Sequence, residues 1–518
     1  MIRKLLPVLT ALILMLSVCA APALAAVTSL PISDEPVTLS IFLPMNATLS
    51  GIVNSMNDTP FFQELERRTN VHLDFITPAI GQETTAYNLM IASGELPDII
   101  FNRTGTMAYA DGIDAAIEDG YFLDLTNLVQ EYMPNYEAVR TRNDFLTRAS
   151  VTDAGRIGAV YQIASKEQGP FIGLQIRQDW LDDLGLSTPV TYDDWETVLT
   201  AFKNEKGATA PMLLGGNGYN YYDNNLSAGY GVSYSFYQVD GAVKYGPVED
   251  GWKNYVSTMH RWYEAGLIDP DYMTATSLLP DSSLITTNKT GAWTSIYTLP
   301  AMYEAQDAEQ NAVIMAVAAP KVNAGDTVKI RSNNFEIGVY VTISAECKHP
   351  DIALKWLDYL FSEEGALLCN YGIEGDTFTY NAEGQPEFTD KVKSNPDGLS
   401  FSQAMAYYTM PPSNICLQDW TRELSSVPAK DIESYDIWGQ TTTENNIPTG
   451  VTMTSDETKE YAKIMADITA LVEEKTNHFI TGVESMDDYD TFVGQIRSLH
   501  IDRAIELQQA ALDRFLSR

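Results

Sequence analysis

None of the residue patterns that mark bond-making chemistry occurs in this chain of 518 residues. It has no G-x-S-x-G nucleophile elbow, no H-E-x-x-H zinc helix, no G-x-x-x-x-G-K-[ST] phosphate loop and no dinucleotide fingerprint. Its five histidines, His72, His260, His349, His478 and His500, are scattered without metal-ligand spacing. With 69 Asp and Glu residues, a glycosidase-like acid pair can be drawn almost anywhere and so points nowhere. What the residue types do offer is non-covalent recognition. Asn217-Gly218-Tyr219-Asn220-Tyr221-Tyr222-Asp223-Asn224-Asn225 follows the apolar Met212-Leu213-Leu214 and reads as a loop leaving a strand, dense in rings and amides. Tyr221 and Tyr222 are its candidate contacts; a surface loop whose tyrosines cover their own backbone is the alternative. Glu374 and Asp376, in Gly-Ile-Glu-Gly-Asp-Thr-Phe, are acceptors in either a turn or a polar rim.

Such groups need a scaffold, and the N-terminal third spells one out. Val37, Leu39, Ile41 and Leu43 alternate as a strand, and Thr59-Pro60 opens a helix carrying Phe62 and Leu65. Val71, Leu73 and Phe75 alternate again, Tyr87 to Ala92 is helical with Gly94 as its C-cap, and Pro97 to Phe101 is a short apolar strand. Strand and helix in alternation predict a parallel sheet. Asn102 and Arg103 then fall at its C-terminal edge, where α/β sheets bind ligands, and become hydrogen-bonding candidates. Further on, Thr191 and Asp194 form a capping-box-like start to a helix with Trp195, Val198, Leu199 and Phe202 on one face. Pro350 begins another helix, and two stripes, Tyr461 to Leu471 and Phe492 to Leu499, make the last third mostly helical. There is no internal repeat and no long flexible linker.

The bulk properties narrow the class. Hydrophobic residues make up 45% and charged residues 20%, an ordinary globular balance, and this length exceeds one core. A net charge of −36 with no basic arm argues against nucleic acid and disfavours polyanionic ligands. Residues Met1 to Ala25 read as an export signal: Arg3 and Lys4, an apolar Leu5 to Val18, then Ala23-Leu24-Ala25 as a cleavage site. Leu16-Ser17-Val18-Cys19 competes with it as a lipobox, which would tether the protein through an acylated Cys19, although Val18 is unusual there. The expectation is release after Ala25. Cys347, Cys369 and Cys416 form no disulfide framework and no zinc motif; buried thiols, with at most one bridge, are expected.

Six segments, in order, resemble the family 1 extracellular solute-binding proteins, in particular the large carbohydrate-transporter lipoproteins of Gram-positive bacteria. They are PFFQELERRTNVHLDF (Pro60 to Phe75), NLMIASGELPDII (Asn88 to Ile100), IRQDWLDDLGLSTPVTYDDWETVLTAF (Ile176 to Phe202), MHRWYEAGLIDPDY (Met259 to Tyr272), CKHPDIALKWLDYLFSEEGALLCNYGIEGDTFTY (Cys347 to Tyr380) and ITGVESMDDYDTFV (Ile480 to Val493). The resemblance implies an α/β, periplasmic-binding-protein-like fold of type II, with two lobes closing on a cleft. One lobe is expected from 37–160 with 335–395 and the other from 161–334 with 396–518. Crossings are expected near Tyr161 to Leu174, near Phe335 to Ile343 and after Lys391. The implied role is capture of a carbohydrate, an oligosaccharide, by a monomer that delivers it to the permease subunits of an ABC importer, without cofactor or catalysis. A secreted glycosidase or lyase, or the ligand-binding partner of a membrane sensor, is the alternative.

Sugars present C–H faces and rims of hydroxyls, which call for aromatic plates and hydrogen-bonding side chains. Among 28 Tyr, 18 Phe and 8 Trp, the resemblance selects Trp293, whose Thr-Gly-Ala-Trp setting is similar to a Gly-x-Trp stretch that presents a stacking indole in the maltose-binding family. A core tryptophan at the same strand end is the alternative. Trp420 and Trp438 fall where relatives place another aromatic wall. Many relatives also carry a calcium loop after the helix of Trp195; here that stretch, Lys203 to Ala210, lacks the ladder of oxygen ligands, and no metal is expected.

Overall fold

The structure, a computed structural model, describes residues 29–166, 169–219, 225–275, 277, 279–331 and 336–518. The first alternating stretches form β1 (Val37–Phe42), β2 (Val71–Ile76) and β3 (Ile99–Asn102). β1 lies between the other two and parallel to both, with Val37 opposite Val71 and Ile41 opposite Ile99. The crossover helix Pro60–Thr69 starts where the Thr59 hydroxyl accepts the Phe62 N–H, and ends at Asn70 in the left-handed region, φ 58°. It buries Phe61, Phe62 and Leu65. The second crossover helix, Glu83–Ser93, ends at Gly94 with φ 73°.

Ten further strands follow: β4 (Val160–Ala164), β5 (Ile172–Arg177), β6 (Phe236–Val239), β7 (Ala242–Tyr245), β8 (Ala292–Ile296), β9 (Ile314–Ala316), β10 (Ile337–Ile343), β11 (Phe378–Tyr380), β12 (Pro386–Phe388) and β13 (Leu417–Gln418). Six of the strands make one sheet in the order β13-β4-β10-β3-β1-β2, in which β10 alone runs against the rest. The C-terminal ends of β1, β2, β3, β4 and β13 therefore share one edge. A second sheet has β5 between β8 and β9, antiparallel to both, and parallel bridges from Met212 to Ala292 and Ile268 widen it. β6–β7 and β11–β12 are separate hairpins.

Each sheet has its own core. Leu39, Ile41, Ile99, Val160, Val341, Leu357 and Cys416 belong to the first, and Leu174, Trp195, Met212, Trp252, Val328, Ile468 and Phe492 to the second. The chain passes from the first sheet to the second between Ala164 and Ile172, returns between Ile330 and Ile337, and leaves the first sheet again after Gln418. The first passage spans only about 25 Å at full extension. It joins the C-terminal end of β4 to the start of β5, so the C-terminal edge of the first sheet is turned toward the edge of the second that carries Phe171 and the exit of β8. That is the cleft.

Two expected boundaries shift. A division at 160/161 would cut β4, which is a full member of the first sheet. Residues 396–418 were expected in the second lobe, yet Met410, Ile415 and Cys416 pack in the first core and Ala404 and Met405 pack beside the β11–β12 hairpin. A two-residue strand such as β13 carries no periodicity from which to place it. The helix Ile501–Ser517 spans both cores: Ile501 and Ala504 sit in the second, Phe515 in the first. Just beyond it, Arg518 donates to the carbonyls of Arg148, Val151 and Gly450 and to Asp153.

On the first crossover helix, Glu64 bonds Arg67 at 2.6 Å and Arg68 at 2.7 Å, and Arg68 reaches Glu364 at 2.8 Å on the helix Glu363–Tyr371. The hydrogen bond from Arg67, with Arg68 beside it, lowers the Glu64 carboxyl from 4.5 to about 2. Because the folded pKa is depressed, its stabilisation is complete above the unfolded value and is lost as pH falls from about 4.5 through 2. The stability difference between wild type and Glu64→Gln should therefore be flat above pH 5 and shrink below pH 4, as read by urea titrations across that range. A difference that does not change with pH would show the pair to be inert.

Candidate ligand-binding cleft

Along the first sheet's C-terminal edge, Leu43 to Ala47 leave β1, Arg103 leaves β3, and Pro411 to Asn414 fold across them. With Glu83, Thr84, Thr106 and Met107 they line a depression of about 380 Å³. Its wall is apolar floor and uncharged polar rim, with one cation and one anion. Arg103 is exposed and lies 6.0 Å from the centroid of the Phe101 ring. The Glu83 carboxylate accepts the Gly81 N–H, which lowers its pKa, and the charge of Arg103 adds to the effect. The pair leaves this wall close to neutral.

At the other end of the same edge, the chain leaving β13 turns at once into a 3-10 helix, Trp420–Ser426. The Asp419 carboxylate starts it by accepting the Thr421 N–H, and the Asp419 N–H is fixed on Asn370 Oδ1 at 2.8 Å. Fully buried Arg422 holds the turn from below. Its Nη1 donates to the carbonyls of Cys369 and Met410, both at 3.0 Å, and its Nε faces the Gln418 amide oxygen at 3.1 Å. Half-buried Trp420 and Glu423 are carried by this anchored turn. Burial raises the Glu423 carboxyl, with Arg422 opposing, and Glu423 lies within electrostatic reach of Tyr297 and Tyr435.

Those two tyrosines belong to the second lobe. Tyr297 leaves β8, its N–H donating to the Phe171 carbonyl at 3.0 Å, and its ring centroid is 5.0 Å from that of Tyr435. Tyr435 packs over Gly169 so closely that a Cβ there would lie 2.7 Å from the ring, so the first passage between lobes needs glycine at this point. The wall beyond them is a smaller recess of about 70 Å³, lined by Leu213 to Gly215, Asp269, Ala275, Leu279, Pro280 and Thr294. A cavity of about 550 Å³ lies elsewhere: Lys203, Gly207, Tyr263 and Pro270 line it and no residue of the first lobe reaches it.

The residues chosen from sequence divide sharply. Arg103 lines the 380 Å³ depression, and half-buried Trp420 follows β13 on the same sheet edge. Asn102, on the same sheet edge, is fully buried: its Oδ1 accepts the Tyr87 hydroxyl at 2.8 Å, and its Nδ2 donates to Ile100 O and Thr342 Oγ1, which leaves no group for a ligand. Trp293 is 0% exposed inside a small core of Ala210, Leu213, Ile285, Tyr303 and Ile314, with its N–H on Gln175 Oε1 at 2.9 Å. It offers no face for stacking. Trp438 is buried against Gly173, where a Cβ would come within 2.4 Å of the indole, and donates to Leu174 O. Glu374 and Asp376 are exposed at the turn before β11; Asp376 is paired with Lys391 at 2.6 Å and neither lines a cavity described above. Tyr221, Tyr222 and Cys19 lie outside the described residues.

In the stretch Lys203 to Ala210, Lys203 Nζ donates to Ala265 O at 2.6 Å and Lys206 pairs with Asp183 at 2.7 Å. Among the described residues no three side chains of metal-ligating type come together. The described residues also contain no helix long and apolar enough to cross a membrane. Cys347 is half-buried, and Cys369 and Cys416 are buried; all three are free thiols.

The family model described as bacterial extracellular solute-binding protein matches residues 57–367, more than half of the chain. The chain belongs to the bacterial extracellular solute-binding proteins. A relative in this family, the fructooligosaccharide ABC transporter substrate-binding protein FusA of Streptococcus pneumoniae, is 22% identical over 485 residues, covering 89% of this chain and 87% of its own. Among solved structures, an HMO binding ABC-transporter associated solute-binding protein from Bifidobacterium longum infantis superposes with a TM-score of 0.73 at 19% identity, over 93% of this chain and 99% of that one. The alginate-binding protein AlgQ2, in its form without calcium ion, gives 0.68 at 23% identity over 93% and 99%. The fold is accordingly periplasmic-binding-protein-like of type II, two α/β lobes about a cleft, as the resemblance implied. The matched stretch takes in the crossover helix Pro60–Thr69, the passages between the lobes at 164–172 and 330–337, and the helix Pro350–Tyr359.

Proposed function

We propose that this solute-binding protein captures a neutral oligosaccharide between its lobes and hands it to the permease subunits of an ABC importer. The observation that carries the reading is the cleft itself: two sheet edges facing each other, one lined by uncharged polar and apolar groups with one cation and one anion, the other bearing a tyrosine pair at the hinge. A relative named as a fructooligosaccharide ABC transporter substrate-binding protein and a structural neighbour named as HMO binding support it. Lining of this kind suits hydroxyl rims and C–H faces. The family is extracellular; we take the chain to be exported and cut after Ala25, with acylation at Cys19 as the alternative. Capture without turnover follows from the same family membership, and the separate enzyme reading has no pattern in the sequence to rest on.

Binding should register twice. A saccharide at about a hundred times its dissociation constant adds roughly 2.7 kcal/mol of stability, visible as a rise in melting temperature across a panel of oligosaccharides. The same ligand should shrink the radius of gyration in solution scattering as the lobes close. A stabilising sugar that produces no compaction would rule out hinge closure, and a panel with no stabilising member would count against carbohydrate capture altogether.

A further inference from the structure

The strands by which the chain leaves and re-enters the first lobe lie side by side in its sheet, in the order β13-β4-β10. At the passage ends their backbones are joined across. The Ser165 N–H donates to Gln418 O at 2.7 Å, and the Ala164 N–H to Glu336 O at 2.9 Å. One side chain bridges two of these ends. Arg142 Nη1 donates to Ser165 O at 2.9 Å, on the first passage, and its Nη2 to Glu336 Oε1 at 3.1 Å, on the second. Asn143 Nδ2 donates to the same carboxylate oxygen at 2.8 Å, while its Oδ1 accepts the Leu146 N–H and caps the helix Asp144–Ala149.

Fixed parts of the first lobe present this guanidinium. The helix before it, Pro134–Arg140, is held at its start by fully buried Asp358, which accepts the Asn135 and Tyr136 N–H groups, both at 2.9 Å. The Tyr136 hydroxyl in turn accepts the Tyr161 N–H of β4 at 3.0 Å. The Arg142 and Glu336 side chains are only 27% and 16% exposed, so water and salt screen the pair less than they screen a surface pair.

We infer that Arg142 is the positioning residue of the hinge: it ties the start of the first passage to the end of the second, so that both leave the first lobe as one unit. Arginine suits the task because its planar fork reaches two acceptors on different segments, whereas a lysine ammonium is a single point. Without the fork, Ser165 and Glu336 move separately and the ligand-free lobes sample a wider range of angles. Fewer molecules are then poised to close, and apparent affinity falls by that fraction, the same factor for every ligand. A residue that touched the solute would change the order of preference instead. The clamp acts whichever solute enters; only its effect on affinity rests on capture between the lobes as proposed above.

The test compares wild type with Arg142→Met, Arg142→Lys and a control, Arg156→Met, whose arginine pairs with Asp114 and Glu118 inside the first lobe. Hydrogen exchange and solution scattering are read on the ligand-free full chain. In Arg142→Met the peptide carrying the Ala164 and Ser165 amides should exchange about tenfold faster, and the radius of gyration should rise. Arg142→Lys keeps the charge without the fork and should fall between; it remains measurable if Arg142→Met does not fold. Arg156→Met should match wild type in both readings. Titration with kestose, maltotriose and lacto-N-tetraose should show each sugar that binds wild type weakened by one common factor, about fivefold, in Arg142→Met. Exchange and radius unchanged in both Arg142 variants overturn the inference. So does a lowered melting temperature shared with Arg156→Met and unaccompanied by a larger radius, which marks a merely structural arginine. Affinity lost for one sugar and kept for another also overturns it, because that marks a contact. If none of the three sugars binds, capture of these classes fails, and the ligand-free readings still decide for or against the clamp.

Discussion

Replacing Trp293 with alanine should cost the fold about 3–5 kcal/mol and leave the affinity of the surviving folded protein nearly unchanged. The indole is fully enclosed, edge-on to Tyr303 at 6.1 Å, between the Met212 segment and β9. Its N–H satisfies Gln175, whose own amide N–H donates to Ile296 O, so truncation opens a cavity and also strands a buried carbonyl oxygen. Both losses fall on the centre of the second sheet, where Gln175 lies directly opposite Trp293 in the β5–β8 pairing. Urea unfolding with calorimetric titration of the same preparation separates the two readings of this residue. Near-normal stability with binding weakened thirtyfold would return Trp293 to the cleft and displace the site described above.

Why the sequence misplaces Trp293 while placing its strand correctly is a matter of scale. Local signals are short-range and were legible: Thr59-Pro60 at a helix start, Gly94 at a helix end, and the capping box of Thr191 and Asp194 all occur where propensity puts them. Alternation at Val37 and Val71 marks strands with one face buried, and the helix between them makes their pairing parallel. A binding wall is a different kind of object. Pro411 to Asn414 lie against Leu43 and Arg103, residues more than 300 positions away, and no periodicity links them. Residue type is equally mute: Trp293, Trp438 and Trp420 are chemically alike, and only the glycine beneath one, the tyrosine beside another and the sheet edge under the third assign them to core or cleft. Tyr297 leaves the same strand as Trp293, four residues on, at the end that opens toward the first lobe, and no local pattern sets it apart.

Replacing Trp420 with alanine should weaken saccharide binding by about 2 kcal/mol or more, roughly thirtyfold, at a smaller cost to folding than Trp293→Ala. Three features favour that split. The ring is half-buried, so less apolar surface is lost to water than at Trp293. Its N–H has no partner, so removing it strands nothing and relieves an unsatisfied donor. The turn that carries it is held by Arg422 and Asp419, whose bonds do not pass through the indole. Trp438→Ala serves as the contrast: that indole covers Gly173 and donates to Leu174 O, so its removal should lower stability through the β5 strand. The measurement is titration with whichever saccharide raises the melting temperature of wild type, alongside urea unfolding of both variants. If Trp420→Ala binds as tightly as wild type, the base of the cleft is not where the sugar stacks. The lobe-one wall around Arg103 and Met45 would then have to supply the affinity alone, and a shallow wall of that kind would hold its ligand without the hinge.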